Sequence, residues 1–271
     1  MEWFLQLNPI LQATIAGIFT WLGTVLGSSL VLFMNEVNQK VLVMMNGFAA
    51  GVMIAASFWS LLAPSIEYAE ASGYGSWSFV PALVGFLLGG LFLSGIDKFV
   101  PHLHIGGRRS EAEGIPTKLP STTLLFLAIT IHNIPEGLAI GVAFGAAGLG
   151  VEGSSIASAF ALSLGIGIQN FPEGAALALP IRAEGASKGR AFNLGQASAL
   201  VEIVAAALGA YLVTQITVIL PYALAFAAGA MIFVCVEELI PQSQTEGYTD
   251  LATLSLLVGF SVMMVLDVAL G

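Results

Sequence analysis

Apolar residues along this chain come in long runs rather than in alternation. Turn residues and charges divide the runs into eight stretches, near 8–33, 41–63, 79–97, 122–147, 155–181, 192–214, 220–240 and 251–270. Each is close to the roughly 20 apolar residues that a helix needs to cross the hydrocarbon of a bilayer. A membrane β-barrel would instead show short segments in which apolar and polar positions alternate, and "ALVGFLLGGLFLSGI" does not alternate. The pattern predicts an all-α membrane protein of eight transmembrane helices, forming a single transmembrane domain over residues 1–271.

Composition agrees with a lipid setting. Of 271 residues, 57% are hydrophobic and 9% charged, whereas about a quarter of a soluble domain is charged. The opening "MEWFLQLNPI" has no cationic region ahead of its apolar stretch, so it is not read as a cleavable signal and the first span is expected to remain. The one cysteine, Cys235, excludes an internal disulfide and a cysteine-based metal cluster. A formal net charge of −9 argues against a nucleic-acid surface.

The eight basic residues orient the chain. Lys40 follows span one; Lys98, Arg108, Arg109 and Lys118 follow span three; Arg182, Lys188 and Arg190 follow span five. With eight spans these links share one side, which the positive-inside rule makes cytoplasmic. The expectation is a multi-pass protein of the cell (inner) membrane with both termini outside. The longest link, 98–121, mixes charge with glycine and proline and reads as a mobile cytoplasmic loop.

Two internal similarities stand out. "FAAGVMIAASFWSLLAP" in span two resembles "FAAGAMIFVCVEELIP" in span seven, and these two helices would cross in opposite directions. An inverted repeat of spans 1–3 and 6–8, in a 3+2+3 arrangement, is a plan that many transporters use. The second similarity is "HNIPEG" at 132–137 against "QNFPEG" at 169–174.

Residues four apart share a helix face. His132 and Glu136 therefore project together from span four, and Gln169 and Glu173 from span five. Asn133 and Asn170 add a carbonyl oxygen to an adjacent face of each. Pro135 and Pro172 leave the oxygens of Ile131 and Ile168 without their helical donors. A carboxylate at the bilayer centre costs about 2.5–3.5 kcal/mol on insertion scales, and span six adds a third acid in Glu202. No lysine or arginine lies within any of the eight stretches. The missing positive charge is expected to arrive as a ligand, since intramembrane acids mark pathways and sites. Imidazole with carboxylate and amide oxygens suits a divalent transition metal, Zn²⁺ first among Fe²⁺, Mn²⁺, Co²⁺, Ni²⁺, Cu²⁺ and Cd²⁺. A lone histidine or an asparagine–proline turn would be unremarkable in a membrane helix; two matching motifs and a third acid are not.

At these residues the sequence resembles the ZIP family of metal-ion transporters (Zrt-, Irt-like proteins), and most closely the bacterial branch with GufA-type members. "HNIPEG", "QNFPEG" and "ALVE" in spans four, five and six carry the resemblance, with the long link after span three. It implies a binuclear site at mid-membrane. His132, Glu136, Gln169 and Glu173 would form the first metal site; Asn133, Asn170 and Glu202 would form the second, with Glu173 bridging. Where relatives often have aspartate or histidine, Asn170 and Gln169 are weaker, uncharged ligands. The resemblance also implies a carrier group of spans 1, 4, 5 and 6 sliding against a scaffold of spans 2, 3, 7 and 8.

Further polar residues are candidates for lining the route. Asp267 would stand near the outer face, and Glu237 and Glu238 toward the inner end of span seven. His102 and His104 in "PHLH" are similar to a reduced form of the family's histidine-rich loop and would receive metal in the cytoplasm. Asp97 and Glu36 are expected at the inner boundary. Gly85 and Gly89 make a GxxxG that could pack against another protomer as a homodimer. No resident cofactor is expected, the metal being cargo; the partners are the ion and the lipid bilayer. A membrane-embedded metalloenzyme would use the same ligands, but no HExxH is present and no acid is left as general base. A third reading is a sensor that binds metal without moving it.

Overall fold

The computed structural model describes residues 2–34, 38–104, 107–151, 154–244 and 247–270. Among them there is no β-strand, only one antiparallel bridge between His102 and Glu113. The long helices are α1 (Pro9–Phe33), α2 (Gln39–Trp77), α3 (Phe79–Phe99), α4 (Ser121–Gly148), α5 (Ile156–Ala183), α6 (Lys188–Gln215), α7 (Thr217–Ser243) and α8 (Thr249–Leu270). Seven of these are long and apolar enough to cross a membrane. The other, α5, is as long as α4 at 28 residues, but Gln169, Asn170 and Glu173 interrupt its apolar surface.

Local chemistry sets several boundaries. Asn8 accepts the Leu11 N–H and precedes Pro9 in the first turn of α1, a pairing that starts helices. Helix α2 does not stop near 63, as the apolar run suggests; it continues through a π-turn at Ser57–Leu62 and a second at Glu70–Tyr74. A matching π-turn occupies Cys235–Leu239 of α7. Pro64 and Pro241 follow closely after the Ser57–Leu62 and Cys235–Leu239 turns, and proline has no N–H for the carbonyl one turn back. Helix α6 is broken at Ser198–Ala199, so Glu202 stands in the first turn of its second half.

Packing is tightest where side chains are smallest. Helix α1 lies on α5 and α6, and α4 lies on α6; α3 lies on α7, and α2 on α8. Contacts of α2 with α5, α4 with α7 and α5 with α8 join these groups. A Cβ on Gly27 would overlap the Phe171 carbonyl oxygen, and one on Gly141 would overlap that of Ala206. The GxxxG of α3 is used within the chain: a Cβ on Gly85 or Gly89 would overlap the carbonyl oxygens of Tyr222 and Phe226 on α7. These glycines therefore seat α7 and are not the face for another protomer that their spacing suggests.

The 98–121 link also departs from expectation. Its described residues fold back on the bundle, with His102 and Leu103 fully buried and a 3₁₀ turn at Arg109–Glu111. Burial of Leu103 among Val31, Leu124 and Leu125 holds it there. Lys188 Nζ donates to Leu32 O at 2.9 Å, tying the 183–188 link to the end of α1. Glu36 lies outside the described residues.

Candidate metal site

Helices α4 and α5 both run through the prolines of their hexapeptides, Pro135 and Pro172. Facing one another, they bury His132, Asn133 and Glu136 from one side and Gln169, Asn170 and Glu173 from the other; Glu202 comes from α6. None of the seven is more than 7% exposed. Gln169 Nε2 donates to Glu136 Oε1 at 2.5 Å. Asn170 Nδ2 donates to both oxygens of Glu202 at 2.9 Å and to Thr20 O at 3.1 Å. His132 and Glu173 line one narrow cleft of about 10 Å³ with Asn46, Glu238 and Gln242.

What remains unpaired in this cluster is mostly acceptor. Glu136 Oε2, Gln169 Oε1, Asn133 Oδ1, Asn170 Oδ1 and His132 Nδ1 are buried without a hydrogen-bond partner among the described residues. Buried polar atoms are nearly always paired, and an unsatisfied one costs about 1–3 kcal/mol. Several together, on two facing helices beside two further carboxylates, leave a buried cluster of acceptors without donors among the described residues. Their mix of nitrogen, amide oxygen and carboxylate suits a borderline divalent ion.

Thr20 on α1 was not singled out by its sequence context, yet its hydroxyl donates to Glu202 Oε2 at 2.6 Å. The signal was present: Thr20, Thr24 and Ser28 recur at helical spacing in an otherwise apolar run, and all three are buried. Thr20 and Asn170 together give Glu202 neutral donors, which Glu136, among the described residues, has from Gln169. The break in α6 places Glu202 in the first turn of a helix, where a negative charge is favoured.

The outlying candidates fall at opposite ends of the bundle. At one end Asp97, His102, His104, Glu113, Glu237 and Glu238 gather. His102, His104 and Glu113 each offer a ligand atom within 4.8 Å of the others, His104 Nδ1 bonds Glu238, and His102 Nε2 lies 3.8 Å from Asp97. At the other end Ser60 Oγ donates to Asp267 at 2.7 and 3.0 Å. Asp267 is thus separate from the central cluster, as are His102 and His104.

The hydrogen bond to Glu238 lifts the His104 imidazole from 6.5 to about 9, against desolvation and with help from nearby acids. A folded-state value above the unfolded one gives a contribution that is complete below pH 6.5 and lost as pH rises through about 9. Hydrogen exchange in the 98–121 link, corrected for intrinsic rates, should accelerate across that window. His104→Gln should remove the pH dependence.

Known proteins are similar to this chain along nearly all of its length. The family pattern described as "ZIP Zinc transporter" matches residues 107–267. Zinc transporter ZIP11 of Bos taurus is 40% identical over 97% of this chain and 98% of its own. Zinc transporter GufA of Myxococcus xanthus is 38% identical over 95% and 98%. Zinc transporter ZIPB of Bordetella bronchiseptica is 38% identical over 96% and 81%. Since the family pattern covers more than half the sequence and the relatives align along nearly all of it, the chain belongs to the ZIP zinc transporter family, a family of transporters and not of enzymes.

Proposed function

We propose that this protein carries divalent metal ions, zinc foremost, across the membrane into the cytoplasm through the buried cluster on α4, α5 and α6. The observation that carries the reading is the set of buried acceptors without donors among the described residues, in apolar stretches (122–147, 155–181 and 192–214) that hold no lysine or arginine to neutralise their acids. A doubly charged ion supplies the missing countercharge. Its first locus is His132, Glu136, Gln169 and Glu173. A second is Asn133, Asn170 and Glu202, with Glu173 between them. Relatives named as zinc transporters along the whole chain make zinc the first choice.

All eight long helices cross the bilayer in this reading, α5 included, because its polar centre faces the cluster. The basic links then lie in the cytoplasm and both termini outside. Spans 1–3 and 6–8 form an inverted repeat, and α1, α4, α5 and α6 move against α2, α3, α7 and α8 to open the site to each side in turn. Packing within each group supports that division, as does the way Thr20, Asn170 and Glu202 join three carrier helices. Glu238 and the 98–121 link stand at the cytoplasmic mouth, and Asp267 at the outer one.

The test is zinc flux into liposomes containing the purified protein, with competing divalent metals. Binding without flux would leave a sensor and contradict transport. Within the cluster, Glu202→Ala and Asn170→Ala should each lower flux less than Glu173→Ala, because the Thr20–Asn170–Glu202 network is already satisfied by neutral donors.

A further inference from the structure

Two helix pairs meet in the same register. Where α2 meets α8, Gly51 lies against the Leu256 carbonyl oxygen and Gly259 against that of Phe48. Where α7 meets α3, Gly229 lies against the Phe86 carbonyl oxygen and Gly89 against that of Phe226. Residues 48–51 and 226–229 both read "FAAG", and each helix then widens into a π-turn beginning at the corresponding residue, Ser57 in α2 and Cys235 in α7. These contacts pair Phe48 with Phe226 and Gly259 with Gly89. Counting on along each helix pairs Ser60 with Glu238, both inside the π-turns, and Asp267 with Asp97.

The paired positions lie at opposite ends of the bundle and differ in charge. Asp267 stands with Ser60, whose hydroxyl donates to both of its oxygens and occupies electron pairs that a cation would use. The nearest acids beyond Ser60 on α2, Glu67 and Glu70, are exposed. Asp97 is 6% exposed, yet neither of its oxygens has a donor among the described residues. Glu237 lies beside it, with an oxygen also unpartnered, and Glu238 reaches from the same turn into the cleft that His132 and Glu173 line.

We propose that Asp267 with Ser60 and Asp97 with Glu238 are equivalent ion stations of two inverted repeats, one at each mouth. The serine at 60, where the other repeat has glutamate, makes the Asp267 mouth the weaker for divalent cations. The inference rests on the transport reading above. The Asp97 mouth gathers Asp97, Glu113, Glu237 and Glu238 around the His104 imidazole, whereas the Asp267 mouth has, among the described residues, one buried acid. An excess of negative charge in a cleft concentrates its counter-ion about tenfold or more, so the two mouths should differ in half-saturating zinc, lower on the Asp97 side.

The experiment is zinc flux in both directions across liposomes holding the full chain in one known orientation. Ser60→Glu should lower half-saturating zinc by about tenfold from the Asp267 side and leave the other side unchanged. Glu238→Ser should raise it by about tenfold from the Asp97 side alone. Because an added buried acid could hinder folding, Asp267→Asn and Asp97→Asn are measured in parallel, each expected to raise the value on its own side only. Wild-type flux with variants that shift both sides together, or the wrong side, overturns this inference and leaves the transport reading standing. Absence of wild-type flux overturns both.

Discussion

Zinc flux by Glu173→Ala should fall by roughly two to three orders of magnitude, while the protein remains folded. Glu173 lines the cleft with His132 and feels the charge of Glu202, and Glu136 in turn feels that of Glu173. Removing one partner of a buried ionic group typically costs 3–5 kcal/mol, which is about that factor in affinity. The fold should survive because the variant loses a buried acid, and a buried acid is a cost without its ion. Thermal unfolding in detergent separates the two effects. Without zinc the variant should match the wild type or exceed it; with zinc the wild type should gain stability by linkage and the variant should not. Equal flux by the variant would remove Glu173 from the ion's coordination.

Gly27→Val should be the most damaging substitution outside the cluster. A Cβ at this position would overlap the backbone oxygen of Phe171, one residue from Asn170, where α1 and α5 lie closest. A flexible side chain could turn aside; a helix carbonyl held in its own ladder cannot. Overpacking costs about 1–3 kcal/mol, and at 2–4 °C per kcal/mol the upper end lowers the melting temperature by roughly 6–12 °C. Forcing α1 away would also draw Thr20 off Glu202 and Asn170, so flux should fall even in the fraction that folds. Gly95→Val is the control: nothing lies within 4 Å of a Cβ there, and its effect should stay near the ±0.5 kcal/mol of a surface change. A melting temperature unchanged in Gly27→Val would contradict the close approach of α1 and α5.

Much of this molecule is written in periodicity and spacing. Helix α4 spans Ser121–Gly148 where the apolar run is 122–147, and α1 ends at Phe33 where its run ends. The pairing of "HNIPEG" with "QNFPEG" points to the buried cluster because an acid amid apolar residues is too costly to be incidental. Features that depend on a partner helix are the ones that sequence leaves open. Nothing local tells Gly85 and Gly89 whether they face a second protomer or α7. The same holds for Thr20, whose hydroxyl in many helices only returns to its own backbone, as it also does here to Gly17. In the 98–121 link, glycine, proline and charge describe the backbone's freedom correctly, but the burial of Leu103 overrides it. The π-turns of α2 and α7 keep the apolar pattern of ordinary helix and shift only its phase, so the place of Ser60 and Glu238 emerges from packing.

Crystals grown with zinc and measured across its absorption edge give the most direct test of an ion replacing the countercharge that the buried cluster lacks. An anomalous peak should lie among His132, Glu136, Gln169 and Glu173, at the nitrogen and oxygen distances of about 2.0–2.2 Å that zinc adopts. A clear peak elsewhere in the protein with none among these four side chains would contradict the account.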